Sequence, residues 1–301
     1  MRLLGGIEAG GTKFVCATAT GPQDIRDTTT LRTTTPSETI ANVISFFRTH
    51  GSPSSLAAVG LASFGPLDLD SKSPTFGSIT ATPKPGWANT SIVTMLVDAL
   101  QVPVAVDTDV NAAALAEYRW GEAKGMDPLV YITVGTGIGL GGVFNGRLMH
   151  GLVHPEAGHI RIPHDVRTDP FSGSCPFHGD CLEGLASGPA MTQRWGQPPD
   201  KLGPDHEAWQ LEAFYVALGI VAVICCVSPR KIVLGGGIMG HEGLHDMVRA
   251  SVRRILGGYI QSPFTQARID EYIIPPSFGK RSGILGAVAL AEDISEHPAT
   301  Q

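Results

Sequence analysis

Three times along this chain an apolar, strand-like run ends in a glycine-rich turn: residues 7–13 read IEAGGTK, residues 132–142 ITVGTGIGLGG, and residues 232–237 IVLGGG. Glycine admits positive φ and lets backbone N–H groups close on an anion, so each turn is a candidate phosphate cradle. Thr12 and Lys13 in the first turn, and Thr136 in the second, add a hydroxyl or an ammonium where a phosphate oxygen needs a donor. Strand, turn, strand and then alternating helix and strand occur twice, which predicts two related α/β lobes with a nucleotide held in a cleft between them.

The finer pattern fits that frame. Residues 3–8, 14–19 and 28–34 read as an antiparallel meander. Pro36 opens an amphipathic helix with Ile40, Val43, Ile44 and Phe47 on one face, and residues 57–62 return as a buried strand. The proline-broken stretch 65–87 predicts a long loop, followed by a helix over 91–100, a strand over 102–106 and a helix over 109–121. The second half restarts with strands at 130–134, 140–144 and 147–150, the last two joined by Asn145-Gly146, a tight-hairpin pair. Helices over 186–195, 207–227 and 243–256, a strand over 231–234 and a closing helix over 282–292 complete the pattern. The domain boundaries expected from it are a small lobe of residues 1–108 completed by 283–301, and a larger lobe of 109–282.

A net charge of −6 and the lack of any basic run argue against a nucleic-acid surface. The longest apolar run, residues 213–227, is shorter than the ~20 residues a bilayer span needs and reads as a core helix. The first residues do not read as a signal peptide, so a cytoplasmic location and no membrane partner are expected. In that setting the five cysteines point to thiols or metal ligands and not to disulfides, with Cys16, Cys225 and Cys226 expected to be buried thiols.

Cys175, His178 and Cys181 form a C-x-x-H-x-x-C run. Such spacing lets a short loop wrap a tetrahedral Zn²⁺, with His159 as the fourth ligand and His164 equally acceptable on spacing alone. Four protein ligands leave no open position, so the metal would shape the site and not activate water. Asp107 and Asp109 stand where a buried strand hands over to a helix; either can cap that helix, and a carboxylate there can also serve as general base toward a hydroxyl.

The ordered set GIEAGGTK, DTDVNAAALAE, VGTGIGLGG, PEAGH and CPFHGDCLEGLASGPA resembles the ROK sugar kinases, and within them the zinc-containing bacterial fructokinase branch, over about residues 5–290. The resemblance implies an actin-like ATPase fold of two ribonuclease-H-like lobes. It also implies transfer of the γ-phosphate of Mg²⁺-ATP to a hexose hydroxyl, most readily D-fructose to fructose 6-phosphate, by a homodimer. By resemblance Asp109 matches the catalytic base, and Glu156, His159 and Glu183 match residues that grip sugar hydroxyls, His159 being also a zinc ligand beside Cys175, His178 and Cys181. Gly10, Gly11, Thr12 and Lys13 match the first phosphate turn, Thr136 and Gly137 the second, and Gly235, Gly236 and Gly237 the turn near the adenosine.

Three positions depart from the wider pattern. Glu8 stands where many members carry Asp and bears on Mg²⁺; Thr108 replaces an Asn that hydrogen-bonds the sugar; and His178 replaces the Cys of glucokinase-like members. The last departure, with Lys84 in the fructokinase-like loop TPKPGW (residues 82–87), favours fructose over glucose, mannose or N-acetylmannosamine. Two other classes share the lobes. A sugar-sensing regulator would need a DNA-binding domain ahead of residue 7, and a non-catalytic actin-like ATPase would not need PEAGH or the Cys/His loop.

Overall fold

The run before the first glycine turn forms β1, Leu3–Ala9; the chain doubles back as β2, Lys13–Gly21, and β3, Asp24–Arg32, extends the antiparallel meander. Thr35 then caps α1, Pro36–His50, by accepting the Glu38 N–H, and Pro36 supplies a first helical residue that has no N–H to satisfy. Ile40, Val43, Phe46 and Phe47 turn inward from α1. β4, Leu56–Ser63, and β5, Val104–Thr108, with α2, Ile92–Leu100, between them, join β1 in parallel, giving the sheet order β3-β2-β1-β4-β5. Every residue of β5 is buried, as expected of a parallel strand covered on both faces. The computed structural model describes residues 2–51, 56–82 and 84–297.

α3, Asp109–Trp120, follows β5 directly, and the closing helix Ser282–Glu296 packs on both the sheet and α3. Backbone meets backbone there. A Cβ on Gly60 would lie 1.8 Å from the Ala287 carbonyl oxygen, and one on Gly286 would lie 1.9 Å from that of Ala112. The buried Ser282 hydroxyl donates to Glu117 Oε1 at 3.0 Å, tying the same two helices. By contact, one unit comprises Met1–Lys124, Leu148–His154 and Lys280–Gln301, and the other Gly125–Arg147 and Pro155–Gly279. This division differs from the expected break at 108/109, because α3 is held by the closing helix and so stays with the first unit. The segment Leu148–His154 joins that unit through Asn111 Nδ2 donating to the Met149 carbonyl and the Leu67 N–H donating to His154 Nε2.

The loop over 65–87 is irregular apart from isolated bridges pairing Ile79 with Leu67 and with Thr90. It ends in a core anchor. Trp87 is fully buried, packs on Phe14 and Phe64 with ring centroids 5.4 and 5.6 Å away, and donates its indole N–H to the Thr34 carbonyl.

The second unit repeats the topology. β6, Leu129–Val134, β7, Ile138–Phe144, and β8, Arg147–Leu148, are followed by α4, Leu182–Ala186, α5, Gly188–Trp195, and α6, Ala208–Val227. β9, Lys231–Gly235, α7, Leu244–Leu256, α8, Ile269–Tyr272, and β10, Ile273–Ile274, complete it. The sheet order β10-β9-β6-β7-β8, antiparallel between β6 and β7 and parallel from β6 to β9 to β10, matches the first sheet strand for strand. Both sheets therefore carry the ribonuclease-H-like order expected for the two lobes.

α6 runs 20 residues, longer than the apolar stretch within it, and by length and composition alone could cross a membrane; half of its apolar window is buried in its own unit. Trp209, Tyr215, Val216, Ile220 and Val223 are among the side chains it turns inward. Cys225 and Cys226 are exposed, correcting the expectation of buried thiols, because they fall in the last turn past the packed stretch. Cys16 is buried as expected.

Candidate functional site

In the first unit the chemistry gathers at the C-terminal ends of β1 and β5. The turn after β1 is closed by the Gly10 N–H donating to the Lys13 carbonyl, and Thr33 holds it from the side with its hydroxyl on the Gly10 carbonyl. Gly11 is half-exposed, and Thr12 and Lys13 are exposed. Glu8, the penultimate residue of β1, packs against the closing helix: a Cβ on Gly283 would lie 2.7 Å from the Glu8 carboxyl carbon. Burial pushes that carboxyl up to about 7, with the Asp109 carboxylate adding to the effect and Lys13 and the Ile284 N–H opposing it.

At the end of β5 the two aspartates part ways. Asp107 is 2% exposed and accepts from Asn111 Nδ2 at 2.8 Å, from the Thr108 N–H at 2.7 Å and from His150 Nε2 at 2.8 Å. That bond raises the His150 pKa against the opposing pull of burial. The cap of α3 is neither aspartate but Thr108, 4% exposed, whose hydroxyl accepts the Asn111 N–H at 3.1 Å. Its side chain is thus committed to the helix, and Asp109, the first residue of α3, stands half-buried with Oδ1 on the Val110 N–H. Lys84 is partly exposed in the loop anchored by Trp87, its N–H on the Thr82 hydroxyl. Pro83 lies outside the described residues.

In the second unit the glycine turn after β6 occupies the place that the first turn has after β1. The Gly135 N–H closes it on the Gly137 carbonyl, and Thr136 is exposed at its tip. The third turn lies beside it. Gly236 has φ +99°, and a Cβ there would lie 2.2 Å from the Val134 carbonyl oxygen, so only glycine fits; a Cβ on Gly135 would find the Gly237 nitrogen 3.7 Å away. Gly235 ends β9.

The Cys/His loop brings together His159, Cys175, His178 and Cys181, whose ligand atoms all lie within 4.8 Å of one another. His159 Nδ1 is 3.7 Å from both sulfurs, and His178 Nδ1 is 3.6 Å from Cys175 Sγ. A tetrahedral Zn²⁺ with bonds of about 2.3 Å to sulfur and about 2.0 Å to nitrogen sets such atoms about 3.5 Å apart, so the donor set fits that ion. His164 is not in the cluster; its Nδ1 pairs with Asp180 Oδ2 and its Nε2 with the Asp169 carbonyl. Burial pushes the Cys181 thiol up to about 11, and a bound dication would reverse this by ligating the thiolate. Glu156 is exposed just before the short 3₁₀ turn Ala157–His159, and its carbonyl accepts the His159 N–H. Glu183 accepts the Ile138 N–H at 2.9 Å and so touches the second glycine turn.

The sequence reading missed the Asp107–His150–Asn111 network, the burial of Glu8 and the Glu183–Ile138 bond. Asn111 is four residues from Asp107, but His150 lies 43 residues from Asp107 and Ile138 45 from Glu183, and no local spacing marks those two. Gly283, whose missing side chain leaves room for Glu8, is marked in the sequence only as a glycine one residue inside the closing helix.

Comparison with known proteins agrees with this geometry. Residues 4–294 match the ROK family. A fructokinase of Zymomonas mobilis is 45% identical over 96% of this chain and 96% of its own length, and a fructokinase of Streptococcus mutans is 39% identical over 98% and 99%. The crystal structure of a ROK hexokinase from Thermus thermophilus superposes with a TM-score of 0.76 at 27% identity, covering 98% of this chain and 99% of that one. The fold is therefore the actin-like ATPase fold of those kinases.

Proposed function

The chain belongs to the ROK family, and from that premise we propose that it is an ATP-dependent sugar kinase that converts D-fructose to fructose 6-phosphate. The likeness to fructokinases, at 45% and 39% identity over nearly the whole of both chains, carries this reading.

In this reading Asp109 takes the proton of the sugar 6-hydroxyl as that oxygen attacks the γ-phosphorus, while the bond to the bridging oxygen breaks and ADP leaves. Phosphoryl transfer asks little covalent work of the protein, so its contribution is positioning and charge. The Thr108 cap fixes Asp109 as the first residue of α3. The turn of Gly10, Gly11, Thr12 and Lys13, closed by the Gly10 N–H, and the turn of Thr136 and Gly137 take the phosphate charge, and Gly235, Gly236 and Gly237 face the nucleoside. Glu156, His159 and Glu183 hold sugar hydroxyls, and Lys84 of the substrate loop is a further sugar contact in this reading; with Nδ1 turned to the cluster, His159 keeps Nε2 for the sugar. Zn²⁺, held by His159, Cys175, His178 and Cys181, would brace this loop, and Mg²⁺ near Glu8 would neutralise the nucleotide phosphates. A homodimer in the cytoplasm accompanies the reading, on the resemblance alone.

The test is kcat/KM with Mg²⁺-ATP for D-fructose, D-glucose, D-mannose and N-acetylmannosamine, read by coupled ADP release. Fructose should lead by about tenfold or more, the range that one well-placed pocket contact gives. A higher value for another hexose replaces the substrate, and no turnover with any of them removes the kinase assignment.

A further inference from the structure

The stretches that carry the metal ligands converge on the second glycine turn. Cys181 caps α4, its sulfur accepting the Gly184 N–H, and Glu183 stands in the first turn of that helix. From there its Oε2 accepts the Ile138 N–H at 2.9 Å, at the residue where the turn becomes β7. The carboxylate occupies the place where a side chain on Gly137 would go, since a Cβ there would lie 2.7 Å from Oε2. Gly158, next to His159, comes closer still to the same residue: a Cβ on it would lie 2.0 Å from the Ile138 carbonyl oxygen. Two further backbone bonds join the same parts, Leu182 N–H to the Ile160 carbonyl and Gly188 N–H to the Gly135 carbonyl. The two backbone groups of Ile138 are thus bordered by Glu183, two residues after Cys181, and by Gly158, next to His159.

We propose that Glu183 is a positioning residue that fastens the second glycine turn to the His159–Cys175–His178–Cys181 cluster, so that metal occupancy sets nucleotide affinity even when no sugar is present. The inference rests on the reading of residues 135–137 as a phosphate turn, and it gives Glu183 a task beyond any grip on the sugar. Two oxygens allow both: Oε2 holds the turn, and Oε1 is a second acceptor on the same carboxylate. Between the paired residues Val134 and Ile138 the turn is closed by the bond from the Gly135 N–H to the Gly137 carbonyl, and Gly188 holds the Gly135 carbonyl from outside. Without the Glu183 acceptor and the braced Gly158, its N–H groups lose their common aim, and preorganised donors lose most of their value when they must reorganise on binding.

The experiment titrates the non-hydrolysable nucleotide Mg²⁺-AMP-PNP calorimetrically, with no sugar, into zinc-loaded wild type, E183Q, E183A and metal-stripped wild type. An amide oxygen still accepts the Ile138 N–H, so E183Q should bind within about threefold of wild type, whereas loss of a charged hydrogen bond should weaken E183A and the stripped protein by about tenfold or more. Elemental analysis should find E183A still loaded with metal. E183D, which keeps the charge and withdraws it by one methylene, reads the same effect should E183A not fold. Nucleotide binding by E183A equal to wild type, with the defect confined to the fructose KM, overturns the inference. So does binding as weak in E183Q as in E183A, or tighter binding in both, which would mean that the carboxylate competes with phosphate for the turn. Wild type that binds no nucleotide brings down the kinase reading and the inference together; wild type that binds while E183A is unaffected brings down the inference alone.

Discussion

Replacing Glu8 with glutamine should make the free protein more stable, and increasingly so as the pH rises. Glu8 titrates at about 7 in the folded chain against a usual value of 4.5, first because it is buried and then because Asp109 is charged beside it. The folded state therefore holds this proton more tightly than the unfolded state. The stability that Glu8 contributes is complete below pH 4.5, declines as the pH climbs to about 7, and stays lost above that. At 1.36 kcal/mol per pH unit the loss is ~3 kcal/mol. Glutamine keeps an acceptor for the Ile284 N–H and does not titrate, so the variant should match wild type near pH 4.5 and exceed it by ~3 kcal/mol near pH 8. Urea unfolding of both proteins across that range, without nucleotide or magnesium, measures the difference. Turnover should move the other way, because the proposed magnesium-facing charge is gone, a trade of stability against function common at such sites. A stability difference that stays constant between pH 4.5 and 8 would refute the reasoning, since Glu8 would then titrate as an ordinary surface carboxylate.

Asp109→Asn should lower kcat by about 10²–10⁴-fold, the usual worth of a general base, with fructose and nucleotide affinities little changed in calorimetry; retained turnover in a coupled ADP assay would remove Asp109 from that role. Purified protein should carry one zinc per chain. Stripping it should lower the thermal midpoint, and zinc but not magnesium should restore it, whereas protein with no metal to lose contradicts the assignment of His159, Cys175, His178 and Cys181. Gly60→Ala puts a methyl 1.8 Å from the Ala287 carbonyl and should destabilise the chain by about 2–3 kcal/mol in urea, as overpacked sites do; an unchanged midpoint would mean that the closing helix yields freely.

The strands flanking the glycine turns were legible because apolar runs stop abruptly at glycine, and the helices because α1 and α7 repeat their buried residues every three to four positions. β10 and α8 were not legible, because elements of two and four residues have no room for a period. Nor was the closeness of β4, α3 and the closing helix, which depends on Gly60 and Gly286 meeting carbonyls far along the chain. At the site, the Cys/His cluster proposed to hold zinc could be read from C-x-x-H-x-x-C and PEAGH, but spacing left His159 and His164 equivalent. Geometry separates them, since Asp180 and the Asp169 carbonyl occupy His164. Asp107 and Asp109 looked alike as strand-end carboxylates until Asn111, His150 and the Thr108 cap accounted for Asp107 and left Asp109 at the head of α3.

The most direct test of the account is the identity of the product. Protein incubated with D-fructose and Mg²⁺-ATP should yield fructose 6-phosphate and ADP in equal amounts, identified by ³¹P and ¹³C NMR, with Asp109→Asn yielding neither at a comparable rate. Phosphate on another hydroxyl, or ADP released without a phosphorylated sugar, would contradict it.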